Sequence, residues 1–269
     1  MKLSLPFKHQ LLITSLCLFS SGMALGQEYN DGETARANGN LVKAEKIWLP
    51  LAENGDVVAQ LSLGLLYKDN VDQAKWKARP DRAFYWFKKC EEELPYCKSY
   101  LAKLYENGIG LKKDPQQAAQ LFLQITKSSL KDDDQFLNEA RLKVGVAYLT
   151  GTMGEKNIAE AEKFIKLAAN SQVPEAQVWM GDLLQSKYRN PHSAAQMIEM
   201  NTWYLLAMKG SDPSARISAE AASKKIQGRM TASQIDESRR LAAQWKPQPA
   251  SPPQTADAAA GSSAAADGK

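Results

Sequence analysis

The chain has only two histidines among its 269 residues, and this scarcity limits the chemistry available to it. His9 lies in the predicted leader, so the mature chain keeps only His192, which follows Pro191 in a predicted turn. Paired-histidine zinc sites are therefore excluded. A Ser-His-Asp arrangement would have to use His192, for which we expect a surface position. We predict no catalytic residue, no metal site and no cofactor.

Other chemical motifs are absent or incomplete. No phosphate-binding glycine loop precedes a predicted helix. Asp132 to Asp134 form an acidic run, but no EF-hand loop surrounds it, so we expect a solvated linker. Ser128 and Lys131 fit the Ser-x-x-Lys pattern of penicillin-recognising enzymes, without the Ser-Asp-Asn and Lys-Thr-Gly motifs that accompany it. A β-lactam-binding or cell-wall enzyme stays an alternative that rests on this short pattern.

Long apolar runs are also missing, apart from a short one at the start. Lys2 and Lys8 precede an apolar run over 11–19, and Ala24-Leu25-Gly26 forms a small-x-small cleavage site. Leu16 stands where a lipoprotein signal needs a small residue before its cysteine. We predict a signal peptide over 1–26, cleavage near Gly26 and a periplasmic or secreted protein without a membrane span.

The net charge is small, and the last residues have little to bury. The formal charge is +4 and falls by two when the leader is removed, which gives little reason to expect nucleic-acid binding. Residues 247–269 consist mainly of Pro, Ala, Ser, Gln and Gly, which predicts a disordered tail. The predicted folded domain therefore covers residues 27–246.

A short pattern recurs along this domain. A small residue is followed five positions later by a central Gly or Ala, and three positions after that by an aromatic or apolar residue. The copies are Ala59…Gly64…Tyr67, Cys97…Ala102…Tyr105, Ala140…Gly145…Tyr148, Ala176…Gly181…Leu184 and a weaker Ala215…Glu220…Ser223. Successive central residues, from Gly64 through Ala102, Gly145 and Gly181 to Glu220, are separated by similar numbers of residues. A repeat of this length is typical of a helical solenoid, in which one repeat cannot bury its own apolar face.

A second register follows each copy after a turn. It has a small or apolar residue, a bulky pair three and four positions later, and another small or apolar residue at seven. The examples begin at Ala44, Ala83, Ala118, Ala161 and Met200. This register predicts a second helix that packs closely on the first. We expect Trp48, Trp86 and Trp203 within it to be core residues and not a ligand cage.

The connecting turn is clearest between residues 107 and 115. Gly108 and Gly110 permit left-handed backbone, and Asp114 can cap a helix that has Pro115 at its first position. The segment from Leu101 through Asp114, followed by Ala118 and Ala119, resembles the Sel-1-like repeat, a relative of the tetratricopeptide repeat. The resemblance implies an all-α, right-handed α/α solenoid of about five helix-turn-helix repeats plus a terminal helix over about 229–247. The insertion over 68–80 departs from the pattern and predicts a bend or a projecting loop.

Cys90 and Cys97 occupy the small positions of a second helix and of the next first helix. These positions face each other across adjacent helices, so the two Cα atoms are expected within disulfide reach. An oxidising compartment favours a bond between them. The alternative is two buried thiols in alanine-sized positions.

First helices line the concave side of helical solenoids, so their unclaimed side chains are candidates for partner binding. These candidates are Leu65, Tyr100, Lys103, Lys143, Val146, Trp179 and Asp182. An aromatic residue flanked by lysines suits an extended peptide or an acidic segment. The alternative is that these side chains pack on neighbouring helices. We predict an exported, non-enzymatic scaffold that binds a protein or peptide partner, with a secreted effector acting on host proteins as a further alternative.

Overall fold

The computed structural model describes residues 22–68, 77–188 and 193–248, and every regular element in these ranges is an α-helix. The helices are α1 (Gly22–Ala37), α2 (Leu41–Glu53), α3 (Val57–Lys68), α4 (Pro80–Cys90), α5 (Pro95–Asn107), α6 (Pro115–Ile125), α7 (Gln135–Thr150), α8 (Ile158–Asn170), α9 (Pro174–Lys187), α10 (Ala194–Lys209), α11 (Pro213–Gln227) and α12 (Ala232–Gln244). The all-α repeat fold is thus confirmed. Most of the predicted leader, His192, and the tail from residue 249 onward lie outside the described residues.

The helices form five helix-turn-helix pairs in the described residues, and α11 and α12 follow them. The pair α1–α2 forms the first repeat, of which the sequence analysis identified only the second helix. Gly32 is its central residue and lies against Trp48 of α2. The weak copy around Glu220 forms α11, and the predicted terminal helix is α12, which packs against α10.

The chain divides into two compact units. The first comprises Met1–Leu130 with Gln135–Ala161, and the second comprises Lys131–Asp134 with Glu162–Lys269. The first unit therefore contains α1 to α7, and the second contains α9 to α12. None of the helices in the described ranges has the length and apolarity needed to cross a bilayer.

A bulky side chain of the second helix covers the central glycine of the first helix. A Cβ atom placed on Gly64 would collide with the Phe87 ring, and one placed on Gly181 would lie 2.5 Å from Cε1 of Tyr204. Phe87 and Tyr204 are both buried and occupy the same position in the register of second helices. The missing side chain on the first helix therefore creates the space that the ring of its partner fills.

The core follows the two registers closely. The α3 helix is buried on most sides, as the density of its leucines predicted. Trp48, Trp86 and Trp203 are all buried, which confirms them as core residues. Apolar burial of this kind is the main favourable contribution to folding.

The turns within pairs are closed by one recurring backbone hydrogen bond. The N–H of Asp114 donates to the carbonyl of Tyr105 at 2.9 Å, and the N–H of Arg79 donates to the carbonyl of Tyr67 at 2.8 Å. The turn that contains the insertion is therefore closed by the same hydrogen bond as a short turn, although it has more residues. Its residues 69–76 lie outside the described ranges.

The turn over 107–115 has the predicted conformation. Gly108 and Gly110 adopt φ values of 70° and 73°, which favour glycine. The Asp114 side chain accepts a hydrogen bond from the N–H of Gln117 at 2.9 Å, and Pro115 begins α6. The local residues thus end one helix and start the next.

A buried polar network joins the last three helices. The side-chain amide of Asn201 in α10 donates to Ser238 of α12 at 2.6 Å, and its oxygen accepts from Ser223 of α11 at 2.7 Å. Gln227 also donates to Ser223 at 2.8 Å. Because each of these groups has a partner, the network fixes how α11 and α12 are seated on α10.

We predict that Gly181→Ala lowers the free energy of unfolding by about 1–3 kcal/mol, because the added methyl group displaces the buried Tyr204 ring. Gly228→Ala is the matched control, since Gly228 has φ near −60° and a methyl group added there would lie 3.5 Å from its nearest neighbouring atom. We expect it to change stability by no more than about 0.5 kcal/mol. Urea unfolding followed by circular dichroism measures both, and equal effects of the two substitutions would contradict the packing described here.

Candidate partner-binding surface

The predicted partner-binding residues occupy two positions of the repeat. Tyr100, Lys143 and Trp179 lie two residues before the central residue, while Leu65, Lys103, Val146 and Asp182 lie one residue after it. Asp182 is exposed and the other six are half-buried. The first unit contains five of them, on α3, α5 and α7. Trp179 and Asp182 lie on α9 in the second unit.

Tyr100 belongs to a cluster of aromatic rings in the first unit. Its ring stacks on Phe87 with centroids 5.1 Å apart and meets the edge of Phe136 at 5.7 Å. Tyr96 contacts the same Phe136 ring at 5.0 Å. Tyr100 therefore contributes to packing between α4, α5 and α7, and only part of its ring faces solvent.

Two reciprocal ion pairs connect α5 and α7. Lys103 pairs with Glu139 at 2.8 Å, and Lys143 pairs with Glu106 at 2.8 Å. Each of these four side chains is about one-third exposed. Pairs of this exposure contribute about 0.2–1 kcal/mol each, so a competing charge can displace them at small cost.

In the second unit, Asp182 accepts a hydrogen bond from the hydroxyl of Tyr204 at 2.8 Å. Burial and this acceptor raise the pKa of Tyr204 above its ordinary value. Because a raised pKa keeps the phenol protonated, Tyr204 is a neutral donor under physiological conditions. The same ring covers Gly181, so Asp182 helps to fix the position of that ring.

A second tyrosine–carboxylate contact was not foreseen from the sequence. The hydroxyl of Tyr67 donates to Glu45 at 2.6 Å, and burial raises the pKa of Tyr67 to about 12. The guanidinium of Arg79 lies 4.3 Å from the centroid of the Tyr67 ring and pairs with Glu45 at 3.1 Å. This cluster anchors the base of the insertion between α3 and α4.

An open cleft of about 620 Å³ lies beside the turns of the first unit. Its lining residues are Tyr105, Leu111, Lys112, Lys113, Asp114, Pro115, Gln116 and Thr152. The lysines that line it are exposed, and Asp114 already caps α6. The cleft is therefore an open feature of the surface with both polar and apolar lining residues.

The serine and the acidic run considered for catalysis or metal binding can now be placed in the structure. The hydroxyl of Ser128 donates to the carbonyl of Ile125 at 2.7 Å, at the end of α6. In the described ranges, no three His, Cys, Asp or Glu side chains lie close enough together to hold a metal ion, and this includes the acidic run over 132–134.

Cys90 and Cys97 form a disulfide in the structure. Their Cα atoms are 5.9 Å apart, and both side chains are fully buried. The bond connects the last residue of α4 with the first turn of α5. It therefore holds one helix pair to the next across a short connection.

Comparison with known proteins identifies the repeat. A family model of the Sel1 repeat matches residues 57–89, 95–127 and 138–172. The chain contains three Sel1 repeats. These matches correspond to the pairs α3–α4, α5–α6 and α7–α8, and the pairs α1–α2 and α9–α10 extend the same arrangement on either side. Sel1-repeat proteins are typically protein–protein interaction scaffolds and are generally non-enzymatic.

Two solved structures are similar to the chain. A Sel1 repeat protein from Oxalobacter formigenes is 18% identical, with a TM-score of 0.58, over 86% of this chain and 92% of that one. This likeness shows a shared fold. A protective antigen of uropathogenic Escherichia coli with an SLR fold is 19% identical, with a TM-score of 0.46, over 75% of this chain. The present chain spans about half of that antigen, 48% of its length.

We predict that replacing both cysteines, Cys90→Ala with Cys97→Ala, lowers the free energy of unfolding by about 2–3 kcal/mol, because the unfolded chain gains freedom when a short loop is opened. Reductant should destabilise the native chain by a similar amount and leave the double variant unchanged. Urea unfolding with and without reductant measures this. Equal sensitivity to reductant in both proteins, or two labelled thiols in the denatured, unreduced chain, would contradict the bond.

Proposed function

We propose that this protein is an exported, non-enzymatic scaffold that binds a protein or peptide partner in the cell envelope. The observation that carries the proposal is the strip formed by α3, α5 and α7 in the first unit. Half-buried apolar side chains alternate there with the two lysine–glutamate pairs.

The strip suits a partner that has both apolar and acidic groups. Lys103 lies 5.8 Å from the centroid of Tyr100 and 5.6 Å from that of Phe136, so its charge lies beside an apolar surface. A carboxylate of the partner can take the place of Glu139 at little energetic cost, since an ion pair that is one-third exposed contributes little to stability. Leu65 and Val146 extend the apolar part of the strip on the neighbouring helices.

Two features support export. The first residues have the charge, apolar run and cleavage site of a signal peptide. The Cys90–Cys97 bond is of a kind that persists in oxidising compartments outside the cytosol. We propose cleavage near Gly26, which would leave residues 27–37 of α1 in the mature chain.

The proposal predicts a specific envelope partner whose capture depends on the strip. An affinity-tagged full-length chain, expressed in its native cells, is cross-linked and purified from periplasmic, membrane and medium fractions. We expect one partner to be enriched, and its capture to fall about fivefold with Lys103→Ala and Lys143→Ala together. Lys46→Ala with Lys166→Ala is the matched control, since both lysines are exposed on second helices.

Three results would count against the proposal. A cytosolic chain that retains its first 26 residues would contradict export. A folded mature protein that enriches no partner would contradict the scaffold function. Equal loss of the partner in both double variants would contradict the strip as the binding surface.

A further inference from the structure

The last first helix, α11, presents a solvent-exposed stripe. Ile217, Ala221 and Lys224 follow one another at intervals of four and three residues, so they lie on one face of the helix. All three are exposed, and Ile217 is 67% exposed, the highest value among the large apolar side chains described as exposed.

The equivalent face of α5 is covered by the next first helix. The stripe positions lie three residues before, one after and four after the central residue, and α5 has Ser99, Lys103 and Glu106 there. Ser99 is fully buried, while Lys103 and Glu106 form the two ion pairs with α7. This face of a first helix is therefore where a following first helix is seated.

The position of Ile217 is buried in the earlier repeats of the first unit. Its equivalents there are Tyr29, Leu61, Ser99 and Leu142, and all are buried. In α1 the hydroxyl of Tyr29 forms a hydrogen bond with Ser62 of the following first helix, α3, at 2.8 Å. No described helix covers this face of α11, because α12, the helix that follows it, packs against α10 and leaves Ile217 exposed.

The charge around the stripe is mainly positive. Lys224 and Lys225 stand at its C-terminal end and form no ion pair with another described residue. In α5 the position of Lys224 is occupied by Glu106, which binds Lys143 of the incoming helix. An incoming helix at α11 would therefore need the opposite charge, a carboxylate, at that place.

A second copy of this chain is a poor occupant of the stripe. Its leading first helix, α1, has the exposed Asp31 immediately before the central Gly32. The other first helices have a buried apolar residue at that position, namely Leu63, Leu101, Val144, Met180 and Ala219. Stacking α1 against another copy would bring this carboxylate to a place where the repeat buries apolar groups.

We propose that the Ile217–Ala221–Lys224 stripe is a docking surface for an acidic amphipathic helix of a partner protein. The helix takes the place of a further first helix, with its apolar side on Ile217 and Ala221 and a carboxylate against Lys224. This inference rests on the proposed scaffold function and adds a second surface and the chemistry of its ligand.

The test uses a peptide derived from α7, since α7 covers the equivalent face of α5. The probe has the sequence of residues 135–150 with Lys143→Glu, a fluorophore, and a hydrocarbon staple on its outer face to hold it helical. In this probe Phe136 is available to cover Ile217, and the new glutamate faces Lys224. The unaltered α7 sequence, stapled and labelled alike, is the control peptide.

Binding to the full mature chain is measured by fluorescence anisotropy. We expect saturable binding of the acidic probe, about tenfold weaker binding of the control peptide, and reversal of this preference by Lys224→Glu. Ile217→Asp should abolish binding, whereas Val42→Asp should not, since Val42 is 55% exposed on α2. Circular dichroism checks that both variants fold.

The outcomes separate this inference from the proposed function. No saturable binding, or binding that Ile217→Asp leaves unchanged, would overturn the docking surface. Sedimentation that shows a dimer dissociated by Ile217→Asp would also overturn it, by identifying a second copy as the occupant. The scaffold function stands if the native partner is captured through Lys103 and Lys143, even when the peptide fails to bind.

Discussion

The structure depends on the contact between a first helix that lacks a side chain at one position and a ring of the second helix that fills the space. Gly64 against Phe87 and Gly181 against Tyr204 show the same contact in the two compact units. A side chain at either glycine would displace the buried ring and disturb the packing of the two helices. The interval between these two central glycines in the sequence therefore reflects the interval between contacts of this kind. The ring in each contact belongs to the bulky pair of the second register.

The ends of the array differ from its interior because they have only one neighbour. At the first pair, Asp31 replaces the buried apolar residue of the other repeats, which leaves a polar outer face. At the other end, the central residue of α11 is Glu220, and the buried Asn201 network holds α11 and α12 on α10. Terminal repeats of a solenoid need such polar faces. The exposed Ile217 is the exception, and it is the apolar part of the docking surface proposed on α11.

The sequence predicted the parts of the structure that local spacing determines. The helix pairs, the cap at Asp114 and the buried tryptophans follow from residues a few positions apart. The first helix around Gly32 was missed for two reasons. Gly32 lies closer in sequence to Gly64 than the other central residues lie to one another, and Gln27 replaces the small residue of the pattern. The partners of Lys103 and Lys143 could not be predicted, since they depend on how far α7 is shifted along α5. The contact of Tyr67 with Glu45 likewise depends on packing between different pairs.

A double-mutant cycle between Gly64 and Phe87 tests the central contact most directly. The free energy of unfolding is measured for the native chain, Gly64→Ala, Phe87→Leu and the combined variant. Because leucine leaves room that the phenylalanine ring occupies, we expect the cost of Gly64→Ala to fall by about 1 kcal/mol or more in the Phe87→Leu background. An equal cost in both backgrounds would show that the two residues are not coupled and would contradict this account of the fold.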